Sequence, residues 1–181
     1  MNTFSTSHLV LLLISLFPYQ IFCTDLSRLK GIDLITKACQ QTKFRTLCIA
    51  ALTSDIESKS TKDLQGLAKI SLKIALSNAS ETHHYISELV SRTKDKHTQK
   101  CLHDCSKNYK QAAQQIEDSM KALNSKGYEN VKTWVSGAMS NAESCQDGFH
   151  SKNGYKCPIS MMNKFFSQLC SISLSITNLF D

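Results

Sequence analysis

Little in this chain can stop a helix. It holds six Gly and two Pro in 181 residues, and one of the prolines, Pro18, lies in an apolar leader. Inside a helix Gly costs about 1 kcal/mol and Pro about 3 kcal/mol relative to Ala. A chain this poor in breakers and rich in Lys, Gln, Ala, Leu and Ser therefore leans helical over long stretches. The length fits one domain with a sizeable buried core.

Residues 1–23 read as a secretory signal peptide, with the apolar run Leu9–Phe17 ahead of Pro18, which leaves 24–181 as one helical domain. The n-region lacks Lys and Arg. The apolar run is too short to span a bilayer, which needs about 20 residues. Seven cysteines then remain, Cys39, Cys48, Cys101, Cys105, Cys145, Cys157 and Cys170. In an extracellular chain they point to disulfides rather than to catalysis or metal binding, and their odd number leaves at least one outside an internal pair. The formal charge of +6 favours solubility and suits an acidic partner surface or an acidic polysaccharide.

Hydrophobic spacing divides the domain into helices. A short helix is predicted over 27–41, with Leu29, Ile32, Ile35 and Ala38 in phase, and a second over 44–52. A long helix over 61–91 is expected to take its cap from Ser60 or Thr61, with Asp63 in the first turn. The polar run 92–98 reads as a connection. The next helix, 99–125, turns Leu102, Tyr109, Ala112, Ala113, Ile116, Met120 and Leu123 inward and stops at Lys126-Gly127, where Gly tolerates a left-handed cap. A helix over 128–145 follows, with Val131, Trp134, Val135, Ala138 and Ala142 on one side. Asp147-Gly148 and Asn153-Gly154 read as turns. Pro158 then opens a last helix whose inner face is Met162, Phe165, Phe166, Leu169, Ile172, Ser173, Ile176 and Leu179. Short connections force neighbouring helices antiparallel, giving an all-α, up-down-up-down four-helix bundle behind an N-terminal helical hairpin.

No catalytic pattern stands out. His97, Cys101 and Cys105 share a helix face at zinc-compatible spacing, but disulfide bonding of the cysteines is the simpler reading in an oxidising compartment. There is no Gly-x-Ser-x-Gly elbow, no phosphate loop and no dinucleotide fingerprint, so neither an enzyme nor a cofactor is expected. No nucleic-acid or membrane partner is expected either. Asn78-Ala79-Ser80 is an N-glycosylation sequon.

Several short motifs occur in a distinctive order. Cys39 and Cys48 enclose eight residues, and Asp63-Leu64-Gln65-Gly66-Leu67 opens the long helix. Cys105-x3-Tyr109-x2-Ala112 comes next, followed by Ser136-x-Ala138 and Glu143-Ser144-Cys145-Gln146-Asp147-Gly148-Phe149. Leu174-Ser175-Ile176-Thr177-Asn178-Leu179 stands near the end. In these motifs the chain resembles the plant invertase and pectin methylesterase inhibitors from about Asp33 to Leu179. The stretches 63–70 and 145–149 look most like the plane-tree pollen allergen branch, which is grouped with invertase inhibitors.

The resemblance implies a secreted, apoplastic inhibitor that forms a 1:1 complex with a cell-wall enzyme, either pectin methylesterase or, alternatively, invertase. A binder of acidic pectin with no target enzyme is a reading of another class. The resemblance also implies the disulfides Cys39–Cys48 and Cys105–Cys145. Cys101–Cys157 is a further expected pair, which leaves Cys170 as a buried apolar residue. Docking is expected on the outer face of the paired helices, near Lys107, Gln111, Gln114, Ser144 and Asp147. The family's invertase inhibitors insert a Pro-Lys-Phe loop, whereas this chain has Ser125-Lys126-Gly127-Tyr128, closer to the Gly-Asp-Tyr loop of the pectin methylesterase inhibitors. Lys107, Gln111 and Gln114 stand where those inhibitors carry acidic residues, and Ser144 and Asp147 match the polar pair beside the cysteine.

Overall fold

The computed structural model describes residues 30–150 and 154–180. The segment 1–23 expected to be a signal peptide and the first residues of the helix predicted from Ser27 lie outside them. Among the described residues the regular structure is helical: α1 over 30–39, α2 Arg45–Ser54, α3 Ile56–Ser60, α4 Leu64–Arg92, α5 Lys96–Asn124, α6 Tyr128–His150, α7 Ser160–Thr177 and a closing 3-10 turn, Asn178–Phe180. The packed pairs of long helices are α4–α5, α5–α6, α6–α7 and α7–α4, which closes a four-helix bundle. The hairpin α1–α3 rests against α4, joined within itself by Cys39–Cys48, with Cα atoms 5.7 Å apart. Gly31 permits this packing, because a Cβ there would strike the Lys59 carbonyl.

Helix boundaries follow capping chemistry more closely than hydrophobic phase. The cap of α4 is Asp63, not Ser60 or Thr61: its carboxylate accepts from the Gly66 N–H at 2.7 Å. Thr61 folds over Gly66 so closely that any Cβ there would collide with the Thr61 hydroxyl. Gln65 then reaches the Leu123 carbonyl at the far end of α5 (3.4 Å), so the Asp63–Leu67 motif builds a helix start and a tie between helices. Asp95 caps α5 through the Thr98 N–H at 2.7 Å. The connection is accordingly Thr93–Asp95 alone, and the helix starts three residues before the expected Gln99. The short helix α3, capped by the Asp55 carboxylate, was not expected.

Two turn expectations are corrected. Asp147-Gly148 lies within α6, which runs on to His150, because helical bonding and burial of Phe149 outweigh a local turn preference. At the α5–α6 turn the left-handed residue is Lys126 (φ 58°), while the Gly127 N–H returns to the Ala122 carbonyl at 2.9 Å. Gly154, at φ 89°, does form a turn.

The inner faces of the four long helices meet in one core of Leu67, Leu72, Ile86, Leu102, Ile116, Val135, Phe166 and Ile176, among others. Phe166 is fully buried beside Tyr109, with ring centroids 5.5 Å apart, whereas Phe165 is 41 % exposed. Emptying this aromatic site by Phe166→Ala is expected to cost about 3–5 kcal/mol, read from urea denaturation. A loss under about 1 kcal/mol is what a surface position would give.

Candidate docking surface

Helices α5 and α6 are drawn together at one end by Cys105–Cys145, whose Cα atoms stand 4.7 Å apart. Further along, the Asn141 amide donates to Gln115 Oε1 at 2.8 Å. A Cβ at Gly137 would come within 2.6 Å of the Gln115 amide, so Gly137 leaves the room that this amide occupies.

Trp134 sits three residues before Gly137 and seven before Asn141, so it shares their stripe toward α5. It is 40 % exposed, whereas Val131, Val135, Ala138 and Ala142, with which the helical spacing groups it on one side, are buried. It is also the single Trp of the chain. A half-exposed indole at a seam between two rigid helices is the residue type that most often anchors protein interfaces.

The five residues expected at the docking face are distributed as follows. Lys107, Gln111 and Gln114 are exposed on α5. Lys107 pairs with Asp104 at 3.2 Å. Gln114 donates to Asp118 at 3.3 Å. Lys121 also donates to Asp118, at 2.8 Å, and this bond holds the Asp118 carboxyl below the usual carboxylate range. Ser144 lines a groove between α5 and α6 with Lys100, Asp104 and Gly148. Asp147 faces the neighbouring groove, of about 460 Å³, between α6 and α7, with Glu143, Asn163 and Lys164. Ser144 and Asp147 thus flank the crest of α6 rather than sharing one groove. Lys107 and Lys121 are thus each paired with a carboxylate of the same helix, and Trp134 is the main apolar feature of the seam.

A buried polar network fixes this surface from behind. The Tyr109 hydroxyl donates to Asn163 Oδ1 at 2.9 Å, and the Asn163 amide donates to Gln146 Oε1 at 3.1 Å. Three helices, α5, α6 and α7, are joined through one amide. Burial pushes the Tyr109 hydroxyl far above its ordinary range, so it keeps its proton and remains a donor.

Cys101 and Cys157 are not joined in the structure; both are buried thiols, as is Cys170. Each expected partner is held by other groups. Cys101 Sγ lies 3.5 Å from the Gly148 carbonyl and 3.7 Å from His97 Nε2. Cys157 Sγ lies 3.6 Å from the Asn163 amide. Cys105, third member of the zinc-spaced set, is consumed in its disulfide. Asn78 stands in the middle of α4, half-buried in a groove lined by Ile74, Phe165 and Leu169, with its Oδ1 shielded from solvent.

Comparison with known proteins agrees with this architecture. The family profile described as "Plant invertase/pectin methylesterase inhibitor" matches residues 33–176. A "Putative invertase inhibitor" of Platanus acerifolia is 31% identical over 153 residues, covering 81% of this chain and 85% of that protein. A "Pectinesterase inhibitor" of Actinidia deliciosa is 30% identical over 172 residues, covering 93% of this chain and 92% of its own length. Among solved structures, a mutant form of a pectin methylesterase inhibitor from Arabidopsis superposes with a TM-score of 0.67 at 23% identity, covering 78% of this chain and 93% of that one. At that identity the likeness speaks to the fold.

Removing the Tyr109 hydroxyl strands a buried amide oxygen. Tyr109→Phe is therefore expected to lower stability by about 1–3 kcal/mol in chemical denaturation while far-UV helicity is retained. An unchanged midpoint means that the network adds nothing.

Proposed function

The chain belongs to the plant invertase/pectin methylesterase inhibitor family, and we propose that it is a secreted protein that inhibits a pectin methylesterase by docking the α5–α6 seam onto it. Family membership makes it an inhibitor and not an enzyme. No described helix is long and apolar enough to cross a membrane. The extracellular placement rests on the apolar leader.

The observation that carries the choice of target is the α5–α6 turn. An inhibitor that works by inserting a loop needs one that projects. Here Ser125–Gly127 folds back onto the end of α5: the Lys126 N–H bonds the Leu123 carbonyl at 3.1 Å and the Gly127 N–H bonds the Ala122 carbonyl at 2.9 Å. Tyr128 is engaged as well, stacked on Phe180 with centroids 4.6 Å apart. No Pro-Lys-Phe is present in the turn. Recognition then falls to the helix faces, where Trp134 offers an apolar centre with polar residues around it, the usual arrangement of an interface core and rim. Because α5 and α6 are cross-linked, this surface loses little conformational freedom on binding.

A second reading, inhibition of invertase, draws support from Lys107, Gln111 and Gln114, which replace acidic residues of the pectin methylesterase inhibitors, and from the invertase inhibitors among the relatives. Titration of purified protein against a pectin methylesterase and a cell-wall invertase, at wall pH, separates the two. The proposal expects stoichiometric loss of pectin methylesterase activity, a 1:1 complex on a sizing column and undiminished invertase activity. The reverse pattern establishes the second reading. Trp134→Ala is expected to weaken the complex by about thirtyfold or more, the size of an interface hot spot, with circular dichroism unchanged.

A further inference from the structure

The end of the bundle where α4 passes into α5 carries a group of cations that the docking surface does not use. Lys94, Lys96 and Lys156 are exposed there, and among the described residues none of them has a carboxylate partner. They are brought together by contacts between two distant parts of the chain. Tyr155 packs its ring on His97, with centroids 4.3 Å apart, and its hydroxyl donates to Asp95 Oδ1 at 3.4 Å. Lys156 is thereby fixed beside the turn that bears Lys94 and Lys96.

The carboxylates nearby are engaged elsewhere. Asp95 Oδ2 accepts the Thr98 N–H at 2.7 Å as the cap of α5. Glu88 faces Arg92 at 3.4 Å and His84 at 3.3 Å along α4. Asp104 is taken by Lys107 at 3.2 Å. The end therefore keeps an excess of unpaired positive charge on a chain whose formal charge is already +6. None of the large apolar side chains exposed among the described residues, Ile32, Ile56, Tyr85, Trp134, Met161 and Phe165, belongs to this turn. A surface of exposed ammonium groups without an apolar centre lacks the usual core of a protein interface and suits a hydrated polyanion held by screened charge.

We propose that this basic end binds the carboxylates of a polyuronate chain. The choice of polysaccharide rests on the inhibitor reading above. Removing methyl esters from pectin exposes uronate carboxylates, so the product of the target enzyme's reaction is the polyanion this end fits. The contact concentrates the inhibitor where de-esterification has already occurred. Trp134 lies on α6 at a level set by Gly137 and Gln115, toward the α5–α6 turn, which is the opposite end of the bundle. Polymer and enzyme are therefore held at the same time.

The test measures retention of the full mature protein on immobilised polygalacturonate and on fully methyl-esterified pectin, over a salt series. Wild type is expected to bind polygalacturonate alone and to be released by moderate salt. The triple variant Lys94→Gln, Lys96→Gln and Lys156→Gln is expected to lose at least about tenfold in affinity, with a shallower salt dependence. A control with the same net charge, Lys43→Gln, Lys62→Gln and Lys69→Gln, removes lysines elsewhere and should stay close to wild type. Equal weakening by the two variants, or equal wild-type binding to the esterified polymer, overturns the proposal. Both variants should still titrate the target enzyme like wild type, so a failure of the inhibitor reading shows up separately, as wild type that retains polygalacturonate but inhibits nothing.

Discussion

Closing α5 against α6 is the constraint on which the rest of the bundle depends. Cys105–Cys145 holds the two backbones 4.7 Å apart at Cα, a distance that only small neighbours tolerate. Ala112, Ala138, Ala142 and Gly137 supply them. In the chain-entropy account a bond that closes 40 residues chiefly limits the unfolded state, worth roughly 2–4 kcal/mol. In the folded state it also sets register. Asn163 of α7 sits with its amide 3.6 Å from Cys145 Sγ and 2.9 Å from the Tyr109 hydroxyl by its oxygen, so the third helix is positioned by groups that the disulfide has already placed. Neutralising polar groups in this way avoids the cost of burying them unpaired.

This arrangement separates two kinds of surface. Along the α5–α6 seam the side chains are braced: Asn141 on Gln115, Gln114 and Lys121 on Asp118, Lys107 on Asp104. Such a surface is suited to a complementary protein, since little must be ordered on contact. At the α4–α5 end the lysines have no such bracing, and what is held there is the backbone beneath them, through Asp95, His97 and Tyr155. Loose charge on a fixed base favours a partner recognised by its field rather than by its shape.

The helices, their antiparallel order and most of the core were legible from hydrophobic phase. The last helix is the clearest case: Phe166, Leu169, Ile172, Ser173 and Ile176 are all buried, as the spacing predicts. The failures have physical causes. Phase alone does not distinguish a core position from a seam position: Trp134 shares a side with Val131, Val135, Ala138 and Ala142, yet it lies at the edge of that side, toward Gly137 and Asn141, and is 40 % exposed. Phase also missed the caps, because Asp63 and Asp95 act through carboxylates on backbone N–H groups, whatever the apolar pattern nearby. The Asp147-Gly148 turn signal was overridden by the burial of Phe149. The two disulfides followed from family spacing and not from any property of the cysteines themselves. Cys101 and Cys157 show the limit of that reasoning, since proximity in a helical projection did not decide which neighbours each sulfur would meet.

The central claim is that the enzyme docks on the α5–α6 seam around Trp134, and the chain's single Trp makes it directly testable. The protein is produced with fluorotryptophan in place of Trp134, and its fluorine NMR signal is followed as unlabelled pectin methylesterase is added. The account predicts that the resonance shifts and broadens in proportion to the enzyme bound, reaching a limit at one equivalent, because the indole passes from partial solvent exposure into an interface. A complex that forms and inhibits while the resonance keeps its free position and its accessibility to a soluble paramagnetic quencher contradicts the account and places the docking surface elsewhere on the bundle.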